Sequence, residues 1–457
     1  MNSIHQTCLT RRNAIGGAFA AGLCLGADRV FAAGDTFSDA SRPRLRPLPT
    51  DGKTPIPLLG VGCAEKFPLR TRAGGGGKEA DQRHAAEIID FALKHGVIWL
   101  DTGYGYHGGQ SEPFLGRTLK KYPRESFILS TKMPTWMVKK PEDGPRIFED
   151  QLKRCQVDYF DFYLLHSVSN KSDFERVYEK MGVLDYLIEQ KKKGRIRHLG
   201  MSYHGKSDFL DEVLTKYEGL FECCMMLLNA MEFTWNKDGP NLPKVAVKHH
   251  VGVLAMEPLA GGRAAGMRGE ALDILKKVHP NDSAGRWGIR FAASQPGVMT
   301  VFSGMGKLEY LKENIETLSE NFKPLTEEET KTYQEAMAVF MKNPSIPCTG
   351  CAYCVPCPYG VKIPQIFAWY NEWAQGGRLP SDKEGDKNDS QDLRRRFLAS
   401  YYNKFKAQER ADRCLACRKC QVPCPQWTFR ISTEMAKVAD LVAHVEEVYV
   451  KKGGVIR

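Results

Sequence analysis

The sequence lacks an apolar run of the roughly 20 residues that a membrane-spanning helix needs, so we expect a protein that does not span a membrane. It also lacks a pattern of aromatic residues alongside its basic runs, of the kind that stacks on nucleic-acid bases. The basic runs lie at 191–198 and 393–397 and predict solvated faces, although the formal net charge is +11. We therefore expect no nucleic-acid partner.

Two nucleotide-binding motifs are also missing. No G-x-G-x-x-G opens the first helical segment, which argues against a doubly wound dinucleotide-binding sheet. The glycine run at 73–81 is not a P-loop, because Glu79 follows Lys78 where Ser or Thr is required. What is present is an ordinary globular composition, with 42% hydrophobic and 26% charged residues among 457. This length predicts one large domain and a smaller one.

Short apolar runs alternate with amphipathic helical segments from about residue 56 onward. Eight strand–helix units predict an α/β fold of the (β/α)8 TIM barrel type, which we place at residues 44–322. The segment at 45–57 predicts a hairpin with an Asp-Gly turn, which we expect to cover the bottom of the barrel. The predicted barrel strands lie at 56–63, 97–103, 127–133, 161–167, 196–202, 223–230, 251–258 and 298–304.

Ionisable side chains lie at the carboxyl ends of three successive predicted strands and in one following loop, where barrel enzymes carry their chemistry. They are Asp101, Tyr106, Lys132 and His166. An ammonium beside a phenol lowers the phenol's pKa, and a carboxylate pairing with the lysine holds the ammonium in position. A neutral histidine donates to a carbonyl oxygen as negative charge develops there. The set therefore suits proton delivery to a carbonyl while a cofactor supplies hydride.

Longer motifs around these residues extend the pattern. They include WLDTGYGYHGGQSEPFLG at 99–116, LSTKMP at 129–134 and DYFDFYLLHS at 158–167. With IRHLGMSYHG, AMEPLAGG and FSGMGKLEYLKEN, they resemble the aldo/keto reductase superfamily. The resemblance implies that Asp101, Tyr106, Lys132 and His166 form the catalytic tetrad, with Tyr106 as general acid. It implies reduction of a small carbonyl compound or oxidation of an alcohol, with a sugar as one candidate.

The resemblance also implies an NADP or NAD site, although several family positions differ. Tyr203 stands where the family has an asparagine that grips the nicotinamide amide, and Met256 where it has a stacking aromatic residue. Tyr310 replaces a frequent arginine. A carrier or binding protein whose barrel no longer transfers hydride is therefore the alternative hypothesis. The implied cofactor residues are Ser202, Asn229, Pro258, Leu259, Gly261, Ser303, Gly304, Lys307 and Asn314.

Eight of the 14 cysteines fall in two runs near the C-terminus. The second run has the C-x2-C-x2-C-x3-C-P spacing of bacterial ferredoxins, in which the fourth cysteine binds the other cluster. We therefore predict two 4Fe-4S clusters in a mainly helical, ferredoxin-type domain at 340–457. Zinc is the competing metal, but four-cysteine zinc sites usually come as two separated pairs. One predicted ligand set is Cys348, Cys351, Cys354 and Cys424, and the other is Cys357, Cys414, Cys417 and Cys420.

The beginning of the chain predicts export. Arg11 and Arg12 precede a short Gly/Ala-rich stretch, and small residues suit cleavage after Ala32. Residues 1–32 resemble a twin-arginine signal, whose pathway carries folded proteins. Clusters are assembled inside the cell, so a protein that keeps them in the periplasm must cross already folded. The cysteine runs either staple the tail or relay electrons to a redox partner protein; both hypotheses stay open at this stage.

Overall fold

The computed structural model describes residues 41–64, 66–69, 79–342, 345–350, 352, 354–422, 424 and 429–455. The predicted signal at 1–32 and Cys351 lie outside these described residues. The chain divides into two compact units. The first comprises Met1–Leu228, Asp238–Pro258 and Ile289–Pro324, and the second comprises Asn229–Lys237, Leu259–Gly288 and Leu325–Arg457.

Eight parallel strands close into a barrel in the first unit, in the order β10-β3-β4-β5-β6-β7-β8-β9. The predicted (β/α)8 barrel is therefore confirmed, and each predicted run overlaps one of these strands. The pairing of β10 with β3 closes the ring, with Val301 opposite Leu59. The barrel strands are β3 Leu59–Gly62, β4 Trp99–Asp101, β5 Ile128–Met133, β6 Phe160–Val168, β7 Ile196–Tyr203, β8 Cys223–Leu227, β9 Gly252–Met256 and β10 Val298–Ser303.

An antiparallel hairpin precedes the barrel, formed by β1 (Leu45–Pro47) and β2 (Pro55–Pro57). The carboxylate of Asp51 accepts from the backbone N–H of Lys53 and Thr54 at 2.8 and 2.9 Å and so closes the turn. Arg46 donates to the carbonyl of Val298, the first residue of β10. The hairpin therefore lies at the amino ends of the strands, which is the bottom of the barrel, as the sequence predicts.

Large aromatic side chains fill the barrel interior. The Trp99 ring stacks on Phe162 with centroids 4.1 Å apart and meets the edge of Phe302 at 5.2 Å. Such pairs add about 0.5–1.5 kcal/mol beyond the burial of their area. Gly60 makes room for Phe302, because a Cβ there would lie 2.4 Å from a ring carbon. Packing below the mouth thus holds rigid the strands that carry the ionisable residues.

Helices alternate with the strands and continue through the second unit. In the part of the chain that the structure describes, none is both long and apolar enough to cross a membrane. A π-helix spans Glu175–Lys180. The α-helices of six or more residues are Glu79–Lys94, Ser111–Leu119, Asp143–Cys155, Val183–Lys192, Ser207–Lys216, Ala230–Trp235, Leu242–Lys248, Glu270–Val278, Ala284–Ala293, Leu308–Thr317, Glu327–Phe340, Ile363–Gln375, Gln391–Lys404 and Ile431–Lys451.

The last three of these helices enclose an aromatic core of their own. Trp369 lies 4.8 Å from both Phe397 and Tyr401 between ring centroids, and its indole N–H donates to Ser400 at 2.9 Å. Helix Ile431–Lys451 adds Met435 and Val438, both fully buried. Several cysteines of the two runs pack against this cluster. The ferredoxin-type character of this region stays a prediction.

Candidate active site and cysteine pockets

The carboxyl ends of β4 and β5 bring three of the predicted catalytic residues into contact. The ammonium of Lys132 donates to a carboxylate oxygen of Asp101 at 2.6 Å and to the hydroxyl of Tyr106 at 3.1 Å. It also donates to the carbonyl of Thr102 at 2.7 Å. Ser130 donates to the other Asp101 oxygen at 2.7 Å. These hydrogen bonds fix the positions of Lys132 and Asp101 beside the phenol of Tyr106.

His166 reaches the same site from β6. Alternation along this strand places its side chain on the same face as Phe162, which packs inside the barrel. Its ring meets that of Tyr106 edge-on, with centroids 6.0 Å apart. The ring of Trp136 lies 4.9 Å away on the outer side and is 44% exposed. The structure thus brings all four predicted catalytic side chains together, with an aromatic wall beside them.

Burial sets the protonation states at this site. It raises the pKa of Asp101, an effect that the nearby Lys132 ammonium and the Ser130 hydroxyl oppose. It lowers the pKa of His166 well below its ordinary value, and the positive charge of Lys132 adds to the shift. His166 is therefore neutral at pH 7 and has an N–H to donate. The buried cation is stable here because the Asp101 carboxylate pairs with it.

Arg154 holds the loop that carries Tyr106. Its guanidinium donates to the backbone carbonyls of Tyr104 at 3.0 Å and Gly109 at 2.6 Å, one on each side of Tyr106. Its Nε lies 2.8 Å from a carboxylate oxygen of Glu112, whose side chain is fully buried. We call these contacts the Arg154 clamp. Sequence reasoning missed the clamp, because Arg154 lies on helix Asp143–Cys155, far along the chain from the loop.

Two further histidines near the site also escaped prediction. His107 has a positive φ of 53°, and its ring nitrogen bonds the carbonyl of Ala64 at 2.8 Å, which pins the residue after Tyr106. His204 follows β7, and burial lowers its pKa to about 4. The Nδ1 of His204 is buried without a hydrogen-bond partner among the described residues. The signal that could have found it is its position, directly after a strand end.

The residues expected to hold a nicotinamide cofactor are only partly brought together. Asn314 donates to the hydroxyl of Ser303 at 3.4 Å, at the carboxyl end of β10. Lys307 immediately precedes helix Leu308–Thr317, and Gly304 lies so close to Lys66 that a Cβ would sit 2.8 Å from it. These residues form a backbone-lined corner at a helix amino end, where phosphate groups bind well.

The part of the expected cofactor site that would bind the nicotinamide ring is less complete. The hydroxyl of Ser202 accepts from the backbone N–H of Ser167 at 3.2 Å. The Tyr203 ring is buried, and its hydroxyl donates to the carbonyl of Lys206 at 2.6 Å. Tyr203 is thus engaged within the protein and offers no group to a carboxamide. Met256 ends β9, and Pro258, which follows, is buried.

The other expected cofactor residues belong to the second unit. Asn229 accepts from the backbone N–H of Glu232 at 2.7 Å and so caps helix Ala230–Trp235. Leu259 begins a turn in which its carbonyl accepts from Gly262. Gly261 has a φ of +68°, and a Cβ there would lie 2.2 Å from the carbonyl oxygen of Thr349. Its lack of a side chain is thus required by contact with the first cysteine run.

Two pockets in the second unit are each lined by cysteines from both runs. The inner cysteine pocket has Cys348, Cys354 and Cys424 in its wall with Phe367 and Phe429. The outer cysteine pocket is lined by four cysteines, and Ile363 lines both pockets. The four cysteines of the outer pocket are Cys357, Cys414, Cys417 and Cys420.

The two runs share an unusual backbone. Gly350 and Ala416 immediately precede the second cysteine of their runs and have positive φ values of 73° and 50°. Ala352 and Arg418 follow that cysteine with φ values of 64° and 61°. A non-glycine residue in this region costs about 1 kcal/mol or more, so such conformations mark functional loops. Turns of this kind aim backbone N–H groups at an anion and occur at iron–sulfur sites.

A single metal ion has different requirements. Among the residues with described positions, no three His, Cys, Asp or Glu side chains converge closely enough to hold one ion. In a four-iron cluster each thiolate binds a different iron, so the four sulfurs surround a cube and do not meet at a point. The cysteine linings of the two pockets match the two ligand sets that the sequence predicts, Cys351 aside.

Known proteins resemble the chain over the barrel. The profile of the aldo/keto reductase family matches residues 71–338. The uncharacterized oxidoreductase YqkF of Bacillus subtilis is 25% identical over 291 residues, which cover 56% of this chain and 88% of that protein. The NADH-specific methylglyoxal reductase of Escherichia coli is 31% identical over 170 residues, 33% of this chain and 49% of that protein.

A solved structure agrees with the profile. The thermostable aldo-keto reductase Tm1743 superposes with a TM-score of 0.52 at 25% identity, covering 64% of this chain and 99% of that one. The glycerol dehydrogenase AKR11B4 of Gluconobacter oxydans shares the fold at 21% identity, with a TM-score of 0.51 over 65% of this chain and 95% of that one. The chain belongs to the aldo/keto reductase family and is an NAD(P)-type oxidoreductase of that family.

Proposed function

We propose that the chain reduces an aldehyde or ketone to an alcohol, or catalyses the reverse reaction, with Tyr106 as general acid. The observation that carries this proposal is the placement of the Lys132 ammonium, 3.1 Å from the phenolic oxygen and 2.6 Å from Asp101. A charge held at that distance stabilises the negative charge that develops on the phenolic oxygen as its proton leaves.

The proposed chemistry divides between the protein and a nicotinamide cofactor. A reduced nicotinamide, held at its phosphates by the corner of Ser303, Gly304, Lys307 and Asn314, would supply the hydride for the carbonyl carbon. Tyr106 transfers its proton to the carbonyl oxygen, so that hydride plus proton convert a carbonyl to an alcohol. Neutral His166 donates to the same oxygen and orients it. Trp136, half-exposed beside His166, offers an aromatic surface on which a substrate could pack.

The residues present fit the phosphate part of the cofactor better than the nicotinamide. Ser303, Gly304, Lys307 and Asn314 offer a helix amino end and a cation for phosphate. Tyr203 gives its hydroxyl to Lys206 and leaves the carboxamide without that partner. This observation favours the second candidate function, an electron carrier or binding protein whose barrel no longer transfers hydride.

Replacement of Tyr106 by Phe tests the proposed acid. We expect Tyr106→Phe to lower kcat for carbonyl reduction by roughly 10²- to 10⁴-fold, because general acid catalysis contributes about that much. Circular dichroism and iron content should not change, since the ring and its packing remain. Turnover at the wild-type rate in the folded variant would contradict the assignment.

Titration with NADPH and NADH separates the two candidate functions. The enzyme hypothesis expects saturable binding of at least one nucleotide by the purified, iron-loaded protein, followed by fluorescence or calorimetry. Absence of binding by both nucleotides, in protein with its full iron content, would favour the carrier hypothesis. A variant with Lys307→Ala should bind more weakly if that ammonium contacts a phosphate.

We also propose that the tail holds two 4Fe-4S clusters, one in each cysteine pocket. The shared backbone of the two runs and the cysteine linings support this assignment. One guanidinium nitrogen of Arg263 supports it further. Nη1 of Arg263 is buried without a hydrogen-bond partner in the described part of the chain. The guanidinium of Arg263 also interacts electrostatically with Cys348. A net negative cluster would supply that missing partner.

The export assignment remains a proposal. Residues 1–32, with Arg11 and Arg12, are the proposed twin-arginine signal for transport to the periplasm. The route suits a protein that acquires its clusters before transport. Fractionation of cells that express the full chain, compared with a variant carrying Arg11→Lys and Arg12→Lys, tests it. Equal periplasmic recovery of the two proteins would contradict the assignment.

A further inference from the structure

We propose that the outer cysteine pocket exchanges electrons with a small acidic electron-transfer protein, which docks on the exposed rim of that pocket. This inference rests on the proposed clusters and adds the place of exchange and the chemistry of the partner. It is carried by three observations on the rim: its exposure, its exposed apolar side chains and its unpaired positive charge.

The two pockets differ in exposure. Residues 415–419, which lie between the cysteines of the outer pocket, are all exposed, including Cys417. The inner pocket is lined by buried Phe367 and Phe429, and its Cys424 is only 8% exposed. A soluble protein therefore gains close approach to the outer pocket. Ile363 lines both pockets, so the inner one adjoins the outer one and is the next station for an electron.

Large apolar side chains stand in solvent at this rim. Leu415 is 66% exposed and Tyr359 44% exposed, and both line the outer pocket. Val422, two residues after Cys420, is 85% exposed. A cluster of such residues beside a candidate redox centre suits a transient contact that removes water between two cofactors. Electron-transfer encounters of this kind bury small interfaces.

The charge of the rim selects the partner. Residues 404–430 carry seven Lys or Arg against two Asp or Glu. Both carboxylates are already paired, Glu409 with Lys362 at 3.7 Å and Asp412 with Arg413 at 3.3 Å. Arg418 and Lys419 are exposed and have no ion-pair partner among the described residues. A partner with an acidic face is steered to such a surface, whereas a basic partner is repelled.

The exchange itself is a one-electron step. The reduced cofactor of the acidic carrier loses one electron and the cluster of the outer pocket gains it, or the reverse. No bond or proton changes at the rim, so the surface needs complementarity and proximity alone. After that step, the electron would pass on to the cluster of the neighbouring inner pocket.

Stopped-flow kinetics tests the proposal with the full, iron-loaded chain. Reduced flavodoxin serves as the acidic carrier, and reduction of the clusters is followed by loss of their visible absorbance. We expect the second-order rate constant to rise as ionic strength falls. The double variant R418E/K419E should lower it by about tenfold at low salt, because charge steering contributes at least that factor.

Controls separate steering from damage. The variant K276E/K277E reverses an exposed neighbouring lysine pair that lines neither pocket, and it should react within about twofold of the wild type. Reduced methyl viologen, a small cation, should not react more slowly with R418E/K419E. These rates are measured on protein with its full iron content. If R418E/K419E reacts with flavodoxin as fast as the wild type, or if the rate does not depend on salt, the docking proposal is overturned. Absence of iron from anaerobically purified protein overturns the cluster proposal and this one together.

Discussion

Lys132 is the residue on which the electrostatics of the active site depend. Its side chain is buried, and its three hydrogen bonds go to Asp101, Thr102 and Tyr106. An ionised amine without such partners would cost several kcal/mol to bury. The fold therefore keeps this ammonium in place only while Asp101 is ionised, which couples the carboxylate to the acidity available at the phenol.

Arg263 offers a second test at the scale of one residue. Its guanidinium donates to Ser345 at 2.7 Å, and Gln375 accepts from it at 3.1 Å with the amide in the orientation that satisfies both groups. Nη1 has no hydrogen-bond partner among the described residues and would face a thiolate of the proposed inner cluster. Positive charge and hydrogen bonds to sulfur raise a cluster's reduction potential. We expect Arg263→Gln to shift one of the two midpoint potentials to a more negative value.

A redox titration monitored by electron paramagnetic resonance measures this shift, with iron content as the check on loading. Arg263→Lys is the matched variant, since it retains the charge but lacks the planar fork, and it should shift the potential less. Two unchanged potentials in fully loaded Arg263→Gln protein would show that the guanidinium does not face a cluster.

At the scale of elements, the Tyr106 loop depends on a helix outside the barrel wall. The Arg154 clamp grips the loop on both sides of the phenol, and His107 anchors the loop to the carbonyl of Ala64. The buried Glu112 balances the charge of Arg154 and also accepts from Thr131 at 2.6 Å. Helix Asp143–Cys155 is therefore part of the machinery that positions Tyr106.

Removal of the clamp should loosen the loop and weaken the fold. We expect Arg154→Ala to reduce the free energy of unfolding by about 3 kcal/mol, because it leaves the Glu112 carboxylate buried and unpaired. We also expect kcat to fall more than KM rises, since the phenol loses its position. Urea unfolding and steady-state kinetics measure the two effects.

The double variant with Glu112→Gln is the control for charge. It should recover part of the lost stability, because no unpaired carboxylate remains, but it should not recover kcat, because the loop carbonyls still lack their donor. Recovery of both quantities would show that Arg154 acts through charge balance alone and not by holding the loop.

The residues at strand ends could be predicted from the sequence, whereas side-chain contacts between a helix and a distant loop could not. Apolar runs and alternation along β6 suffice to place His166 on the interior face, because strand geometry is local. The contact of Arg154 with Gly109 depends on how a helix crosses a loop 45 residues earlier. The burial of Tyr203 likewise depends on the turn that brings the carbonyl of Lys206 to its hydroxyl. Such contacts leave no periodic signal.

At the scale of the whole molecule, each cysteine pocket draws on both runs. Cys354 and Cys357 are close in sequence but line different pockets. We therefore expect Cys354→Ser and Cys357→Ser to disturb different clusters. Mössbauer or electron paramagnetic resonance spectra of the two variants should each lose or alter a different component. Loss of the same component in both variants would mean that each run binds its own cluster.

The interleaving of the two runs has a consequence for how the protein is made. A ribosome releases Cys348 well before Cys424, so neither of the two proposed clusters could be completed on a nascent chain that still lacks its last segment. Insertion of the proposed clusters would then follow synthesis of both cysteine runs. A product terminated before the second run would retain no cluster. With both proposed clusters bound, a protease cut in the exposed segment near Gly385 would leave two pieces that the clusters hold together.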